Sequence, residues 1–465
     1  MASSFSIGHV VAVANKHPFY SSHEYPLTPE EVAEIAAQEP ISKSAKDLLS
    51  QCPIIQKDDL YREIPRLFTD DNPRNTFRNS TYISVTGGGG GSTQSLSFLT
   101  DIKENRAQRK ACGELLHRLD VLSETDCVLS LHPSGKMYRA LDLIVEIIEH
   151  AGASVLPLGH LAVPEEILAI CLKYRPTTLT GDTSQLVQFA SFVESSNAAG
   201  DLCINKILYT SESMSRLQRS YIQSVFGRTE SPVAFSSILG SAEMGTWAVG
   251  SFELTGPQED DSGDLIFDTR SMIIEVMPLD IDLSIRHCPS RIIEGETGIL
   301  IVTSLQRLRN PLVRYVTGDV GSIHPLPPSA SALLGQDAEH LRVLRLRGRD
   351  IRSSFKWQGE YFELNKISKL MSTPAWGIVR WQIVLTSDRS NVHHIEIRLM
   401  RASGIDGLVA QEAIEKTLKE YFYIHEQNEA LFHINLRAPE DFIRSSTGNK
   451  KPRLNRTAAE LLKAL

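Results

Sequence analysis

The chain has 465 residues, of which 42% are hydrophobic and 22% charged, and a formal net charge of −8. This is ordinary globular composition, which excludes global disorder, and the acidic balance excludes a broad basic face for a nucleic-acid backbone. The length exceeds one ordinary core and predicts a large domain followed by a smaller one.

In chain order, the segment up to Ser80 reads as a helical lead-in. Thr28-Pro29-Glu30-Glu31 supplies a hydroxyl cap, a first-turn proline and two acids at the positive end of the helix dipole. Thr81–Val85 is a β-branched run that predicts a strand, followed at once by glycines, and a helical period returns over Ala107–Leu119. Strand and helix patterns then alternate: Cys127–Leu131, Met137–His150, Ser154–Leu158, Glu165–Lys173. Such alternation predicts an α/β fold with mixed or largely parallel sheets flanked by helices. From Asp264 strands dominate (Leu265–Phe267, Ile273–Val276, Gly298–Val302), and His324–Gly335, rich in proline, serine and alanine, reads as an exposed loop. Beyond Gly348 come strands near Val379–Leu385 and His394–Leu399 and a helix over Val409–Glu420. The expected division is residues 1–347 as a large domain and 348–465 as a small, mobile α+β domain.

The six cysteines, Cys52, Cys112, Cys127, Cys171, Cys203 and Cys288, are scattered with no CxxC pair, which predicts reduced thiols rather than a disulfide framework or structural zinc. Met1–Lys16 lacks the pattern of a secretory signal, and no apolar run is long enough to span a bilayer. Lys463-Ala464-Leu465 departs from the Ser-Lys-Leu peroxisomal pattern, so a cytoplasmic location away from membranes is expected.

Thr86-Gly87-Gly88-Gly89-Gly90-Gly91-Ser92-Thr93 follows a predicted strand. Glycines without Cβ atoms let successive amides turn inward as an anion-binding nest, with Thr86 and Ser92 adding hydroxyl donors. Five glycines in a row also suit a flexible linker. The run has no lysine of a P-loop and no dinucleotide-binding context, so alone it does not decide between the two.

Other short motifs accompany it in order. His17-Pro18-Phe19-Tyr20, Pro53-Ile54-Ile55-Gln56-Lys57-Asp58-Asp59-Leu60, the glycine run, Leu239-Gly240-Ser241-Ala242-Glu243, Arg314-Tyr315-Val316-Thr317-Gly318-Asp319, Arg347-Gly348-Arg349-Asp350 and Ser446–Arg453 fall in sequence. Together they resemble the adenylate-forming ligase superfamily, in particular its phenylacetate–CoA ligase-like branch, from about His17 to Arg456.

That resemblance implies a use for each motif. The residues Thr86, Gly87, Gly88, Gly89, Gly90, Gly91 and Ser92 would grip the β- and γ-phosphates of ATP. Glu243 would be the Mg2+ ligand, a hard anionic oxygen for a cation that bridges phosphates. Asp319 would accept from both ribose hydroxyls, Arg349 would contact ribose or phosphate, and Glu212, Gly240 and Ser241 would border the adenine and the adenylate. Lys450 would be the catalytic lysine; the Lys-x-x-Arg spacing back from Arg453 selects it over Lys451. His132, Tyr138, Ser237 and Leu239 would line the acid pocket.

The implied reaction is ATP-dependent adenylation of an aryl or other hydrophobic carboxylic acid, followed by transfer to a thiol, CoA, after the small domain rotates. Transfer to an amine or a carrier protein is the alternative acceptor chemistry, and a non-catalytic nucleotide-binding or interaction module is the other class. Neither nucleic acid nor membrane is expected as a partner, and a homodimer is compatible with the reading. The chain departs from the family where Gly88 and Gly89 replace phosphate-loop threonines, where Leu239 replaces an aromatic ring, where Ala242 replaces a threonine, and at Lys356-Trp357-Gln358-Gly359. Each loss weakens a polar or stacking contact by roughly 1 kcal/mol.

Overall fold

The computed structural model describes residues 4–40, 43–85, 97–135, 137–211, 213–227, 232–256, 263–283, 285–349, 354–358, 360–387, 393–402, 407–443 and 454–456. Four helices come first: α1 (Ile7–Ala14), α2 (Pro29–Ala37), α3 (Ala45–Ser50) and α4 (Lys57–Thr69). α2 starts as its sequence requires. The Thr28 hydroxyl accepts from the Glu31 amide at 3.2 Å and the Glu31 carboxylate accepts from the Thr28 amide at 2.8 Å, with Pro29 in the first turn.

A hairpin of β1 (Thr81–Val85) and β2 (Ser97–Asp101) brackets residues 86–96, in register from Thr81 opposite Asp101 to Val85 opposite Ser97. α5 (Ile102–Arg118) starts directly from β2, because the Asp101 carboxylate accepts from the Lys103 and Glu104 amides and so caps it.

The chain then alternates through β3 (Cys127–Ser130), a short hairpin of β4 (Ser134–Gly135) and β5 (Tyr138–Arg139), α6 (Ala140–His150), β6 (Ser154–Pro157), α7 (Pro164–Tyr174), β7 (Thr178–Asp182), α8 (Thr183–Ser195), β8 (Lys206–Thr210), α9 (Arg216–Phe226) and β9 (Ala234–Ser241). Strands β6, β3, β7, β8 and β9 lie side by side in parallel. β7 is buried throughout, as a parallel strand between helical layers must be. The α8 residues Leu186, Val187, Phe189, Ala190 and Val193, at helical spacing, pack into the same core as Leu129 and Leu179.

β10 (Gly245–Ser251) reverses the direction. After α10 (Phe252–Thr255), the sheet continues antiparallel through β11 (Gly263–Asp268), β12 (Met272–Met277), β13 (Gly298–Ser304), β14 (Tyr315–Pro325), α11 (Pro328–Leu334) and β15 (Leu341–Arg349). The whole sheet has eleven strands in the order β12-β13-β14-β15-β11-β10-β9-β8-β7-β3-β6. Only one half is therefore parallel. Two local expectations are corrected. His324–Gly335 is not an open loop: β14 runs to Pro325, and the prolines open α11, which buries Ala330. The helix expected from Met137 starts at Ala140, because Tyr138 and Arg139 pair back on Ser134 and Gly135.

The C-terminal region has its own core. β16 (Ser354–Trp357) pairs with β17 (Glu360–Glu363), followed by α12 (Leu364–Met371), β18 (Ile378–Ser387), β19 (His393–Arg401), α13 (Gln411–Tyr421), β20 (Phe432–Leu436) and β21 (Leu454–Arg456). The second sheet has the order β20-β19-β18-β21, and Phe355, Trp357, Phe362, Ile383, Ile395 and Phe422 fill its hydrophobic side. A large mixed sheet with flanking helices and a small separate sheet at the C-terminus is the architecture expected from the sequence. Among the described residues no helix is long and apolar enough to cross a membrane.

Candidate functional site

The turn Ala242–Met244 joins β9 to β10 where the parallel half of the sheet meets the antiparallel half. The carboxyl ends of parallel strands are the usual ligand-binding edge of such sheets. Gly240 has no room for a side chain: a Cβ there would meet the Gly245 carbonyl at 2.7 Å. The Ser241 hydroxyl accepts from the Met244 amide at 3.1 Å and tightens the turn. Glu243, 6% exposed, places its carboxylate 3.4 Å from the Lys57 ammonium. Lys57 is the first residue of α4, where the helix dipole disfavours a cation, so the Glu243 charge offsets an otherwise unfavourable position. Lys57 belongs to the motif Pro53–Leu60, yet nothing in its local pattern reveals this partner.

The loop Leu305–Arg314, between β13 and β14, is irregular and buried along its length. Its polar groups must then find partners inside the protein. The Leu308 and Arg309 amides both donate to one oxygen of Glu104 at 3.1 Å, and the Val313 amide donates to the Tyr20 hydroxyl at 2.7 Å. His17 accepts from the Phe19 amide at Nδ1, so its Nε2 carries the proton and donates to Asn310 at 3.3 Å. The motif His17–Tyr20 thus holds this loop. Arg307, 1% exposed, lies 5.1 Å from the Phe98 ring centroid and donates through Nη1 to the Glu243 carbonyl. Burial pushes the Arg307 guanidinium down to about 10 and the Glu104 carboxyl up to about 7.

Counted along the strand registers, the start of β14 lies far from the β9–β10 turn. The contacts bring them together. Ile55 bridges Tyr315 two residues before Lys57 reaches Glu243, and Arg307 reaches the same residue from the loop before β14. Irregularities between Thr246 and Ala248, Ile299 and Ile301, and Val320 and Gly321 mark where the strands bend. Bulges increase local twist, which curls a sheet in this way.

Arg314 closes the loop, and β14 carries Tyr315–Asp319 directly after it. Arg314, fully buried, makes two hydrogen bonds to Glu275 at 3.1 and 3.0 Å and donates to the Cys52 and Cys288 carbonyls. This arginine therefore anchors the strand. Asp319, half-buried, stands opposite Arg349 in register, and its amide donates to the Thr317 hydroxyl at 3.0 Å. Gly318 has φ +75° inside β14, where the register against β13 shifts between the pairs Ile301–Val316 and Ile299–Val320.

His132 follows β3 and is 2% exposed. Its ring nitrogens meet the Ser130 hydroxyl at 3.1 Å and the Thr210 hydroxyl at 2.9 Å, and burial lowers its pKa to about 3, so it is neutral near pH 7. Tyr138 is half-buried in the β4–β5 hairpin. Ser237, in β9, is hydrogen-bonded to the buried Tyr209, and Leu239 packs against the core that contains Met244 and Tyr315. The expected positions Thr86–Ser92, Glu212, Lys450 and Lys451 lie outside the described residues.

Among the described residues no group of three or more His, Cys, Asp or Glu side chains could hold a metal ion. Glu243 offers one buried anionic oxygen donor. That fits a magnesium ion, which takes one or two carboxylates and completes its shell with phosphate oxygens and water, and does not fit an all-protein zinc or calcium cage.

Compared with solved structures, the chain is similar to 2-hydroxyisobutyryl-CoA ligase in its postadenylation state with 2-HIB-AMP, at 17% identity and TM-score 0.64 over 98% of this chain and 90% of that one. The same ligase with R3-HIB-AMP gives 16% identity and TM-score 0.62 over the same shares. The chain has the fold of the adenylate-forming ligases. An open form of that ligase with 2-HIB-AMP and CoA matches at 17% identity and TM-score 0.54, over 96% of this chain and 90% of the other. No protein-family model and no curated protein sequence matches the chain. Within the adenylate-forming-ligase fold, Glu243 and Lys57 meet at the β9–β10 turn, and Asp319 stands opposite Arg349 in the β14–β15 register.

Proposed function

We propose that this chain is an AMP-forming ligase that uses ATP to convert a carboxylic acid into an acyl-adenylate and then transfers the acyl group to the thiol of CoA. One observation carries the reading: in this fold, a buried glutamate on the β9–β10 turn faces a lysine and is fixed through its backbone by a buried arginine. A carboxylate so placed suits a cation that arrives with a polyphosphate.

Adenylation brings a carboxylate to the α-phosphate and expels pyrophosphate, so negative charge accumulates and must be met by oriented positive groups. When bound at Glu243, magnesium would neutralise phosphate charge. Lys57 balances Glu243 beforehand, and its flexible ammonium can turn to phosphate oxygens once the carboxylate has another cation. Asp319, acceptor-only when ionised, would take both ribose hydroxyls, with Arg349 beside it. The residues Thr86–Ser92 would hold the β- and γ-phosphates, and Lys450 would bridge the α-phosphate and the substrate carboxylate. Neutral His132 gives the acid pocket shape and hydroxyl contacts rather than a proton at neutral pH. With Tyr138, Ser237 and Leu239 it suits an aryl or other hydrophobic acid. Residues 348–465 would form the small domain that carries Lys450 and rotates between the two half-reactions.

ATP–pyrophosphate exchange across a panel of carboxylic acids, followed by addition of CoA, tests the reading. Acid-dependent exchange and a CoA-dependent thioester are expected; no exchange with any acid overturns it, and an amide formed without CoA overturns the thiol acceptor. Lys450→Ala is expected to slow exchange by orders of magnitude while ATP binding, followed by calorimetry, stays close to that of the parent.

A further inference from the structure

The N-terminal half of α5 buries polar side chains where a helix of this kind should bury apolar ones. Asp101, Glu104 and Gln108 follow one another at three- and four-residue spacing, so they share a face; Gln108 is buried, and Glu104 is half-buried with its carboxylate Oε2 enclosed. Each reaches a different part of the candidate site. Asp101 accepts from Arg309 at 3.3 Å. Glu104 takes the Leu308 and Arg309 amides, and so fixes the backbone that follows Arg307. Gln108 donates through Nε2 to the Met244 carbonyl at 2.6 Å.

Two consecutive carbonyls of the β9–β10 turn are thus held by buried side-chain donors, that of Glu243 by Arg307 and that of Met244 by Gln108. The fit around Gln108 is close. Gly245 has φ +71°, and a Cβ there would meet the Gln108 amide oxygen at 2.1 Å. The start of α5 is fixed as well, because its N-cap Asp101 is the last residue of the β1–β2 hairpin that brackets the glycine run. One rigid helix therefore spans from that hairpin to the turn that carries Glu243.

We propose that Gln108 and Glu104 are positioning residues that set where the Glu243 carboxylate stands, so that affinity for a metal–nucleotide is governed from α5. This rests on the reading of Glu243 given above. Neither side chain needs to touch nucleotide or metal. Gln108 acts on the turn directly, and Glu104 acts through the backbone of Leu308 and Arg309 and the neighbouring Arg307. Apolar residues at these positions would leave the Met244 carbonyl or the two amides buried without partners, and the turn would relax until water or another donor reached them. A shift of a few tenths of an ångström at Glu243 degrades an octahedral magnesium shell, while contacts made by the nucleotide alone are little affected.

The test measures ATP binding by calorimetry with magnesium and with chelator, on the full chain. For Gln108→Leu and Glu104→Ala the expected result is about a tenfold loss of magnesium-dependent affinity, with metal-free ATP binding unchanged. Glu104→Gln, which keeps an acceptor for both amides, is expected to restore it. Amide hydrogen exchange of the nucleotide-free protein should show faster exchange at Met244–Trp247 in Gln108→Leu. If Gln108→Leu fails to fold, Gln108→Asn, too short to reach the carbonyl, is read in the same way. Variants that lose thermal stability but keep the parent's ratio of magnesium-dependent to metal-free affinity make the role merely structural and overturn the proposal. Glu243→Gln separates the two claims. If it removes the magnesium dependence while the α5 variants leave it intact, the positioning role alone falls; if Glu243→Gln changes nothing, both readings fall.

Discussion

Glu104 and the two buried histidines pull the stability of this protein in opposite directions with pH. Exclusion from water raises the Glu104 carboxyl from 4.5 to about 7, with Asp101 adding to the rise and the two amides and Arg307 opposing it. Its proton is bound more tightly in the folded chain. Its contribution is therefore full below pH 4.5 and lost as the pH rises through 7, a loss of about 3 kcal/mol at most. His17 and His132 behave inversely. Burial lowers each from 6.5 to about 3, so their contribution is full above 6.5 and lost progressively as the pH falls towards 3. Denaturant unfolding should then show stability falling below pH 6, where both histidines outweigh Glu104. Glu104→Gln should raise the unfolding midpoint at pH 8 relative to the parent and leave it nearly unchanged at pH 5. Equal shifts at both pH values would mean that Glu104 is not protonated near neutrality.

At the scale of the element, the β9–β10 hairpin combines close approach with a functional turn. A Cβ at position 240 would lie 2.7 Å from the Gly245 carbonyl and 3.1 Å from the Thr246 Cα, both backbone atoms that cannot rotate away. Gly240→Ala must therefore splay the hairpin, at a cost of about 1–3 kcal/mol. Thermal unfolding and nucleotide binding should both be weakened; a variant with the parent's melting point would show that the hairpin adapts. The same hairpin marks the limit of what the sequence conveys. β1, β11, β12, β13, the capping box of α2 and the alternation from β3 to α7 follow from short periodic runs, and the motifs fall in readable order. The structure adds pairings between positions distant in the chain: Lys57 with Glu243, Gln108 with Met244, His17 with Asn310. No periodicity encodes these, because each side chain satisfies a partner brought near only by tertiary packing. α5 is legible only from Ala107 on, where Cys112, Leu115 and Leu116 supply an apolar face; its polar start looks like surface until the loop Leu305–Arg314 covers it. α11 was obscured by the prolines that start it, since proline marks a helix N-terminus as readily as a loop.

For the molecule as a whole, the contact between the C-terminal sheet and the large sheet is the feature on which the proposed two-step reaction depends. Val379, at the start of β18, is 2% exposed and sits in the core formed by α8, α9 and the parallel strands, with Met400 and Ala402 packed beside it. Gln218, whose other amide atom accepts from the Ser215 amide in the α9 capping box, donates to the Val379 carbonyl. Next to this contact a cleft of about 480 Å3 runs between Pro439 and the α8 residues Gln188, Ser191 and Phe192. Burying a valine side chain stabilises the docked arrangement by roughly 1.5–3 kcal/mol, so an aspartate there, which cannot be buried unpaired, shifts the balance strongly towards the undocked one. A single docked arrangement can serve only one half-reaction if the small domain must rotate for the other. Val379→Asp should then change the two half-reactions in opposite directions, with exchange of pyrophosphate and thioester formation from preformed acyl-adenylate measured separately. Because Val379 lies outside the core of the C-terminal sheet itself, both folded regions should persist, as circular dichroism would show. Equal loss in both half-reactions would make this contact a matter of stability alone, and no change in either would mean that the small domain turns without leaving it.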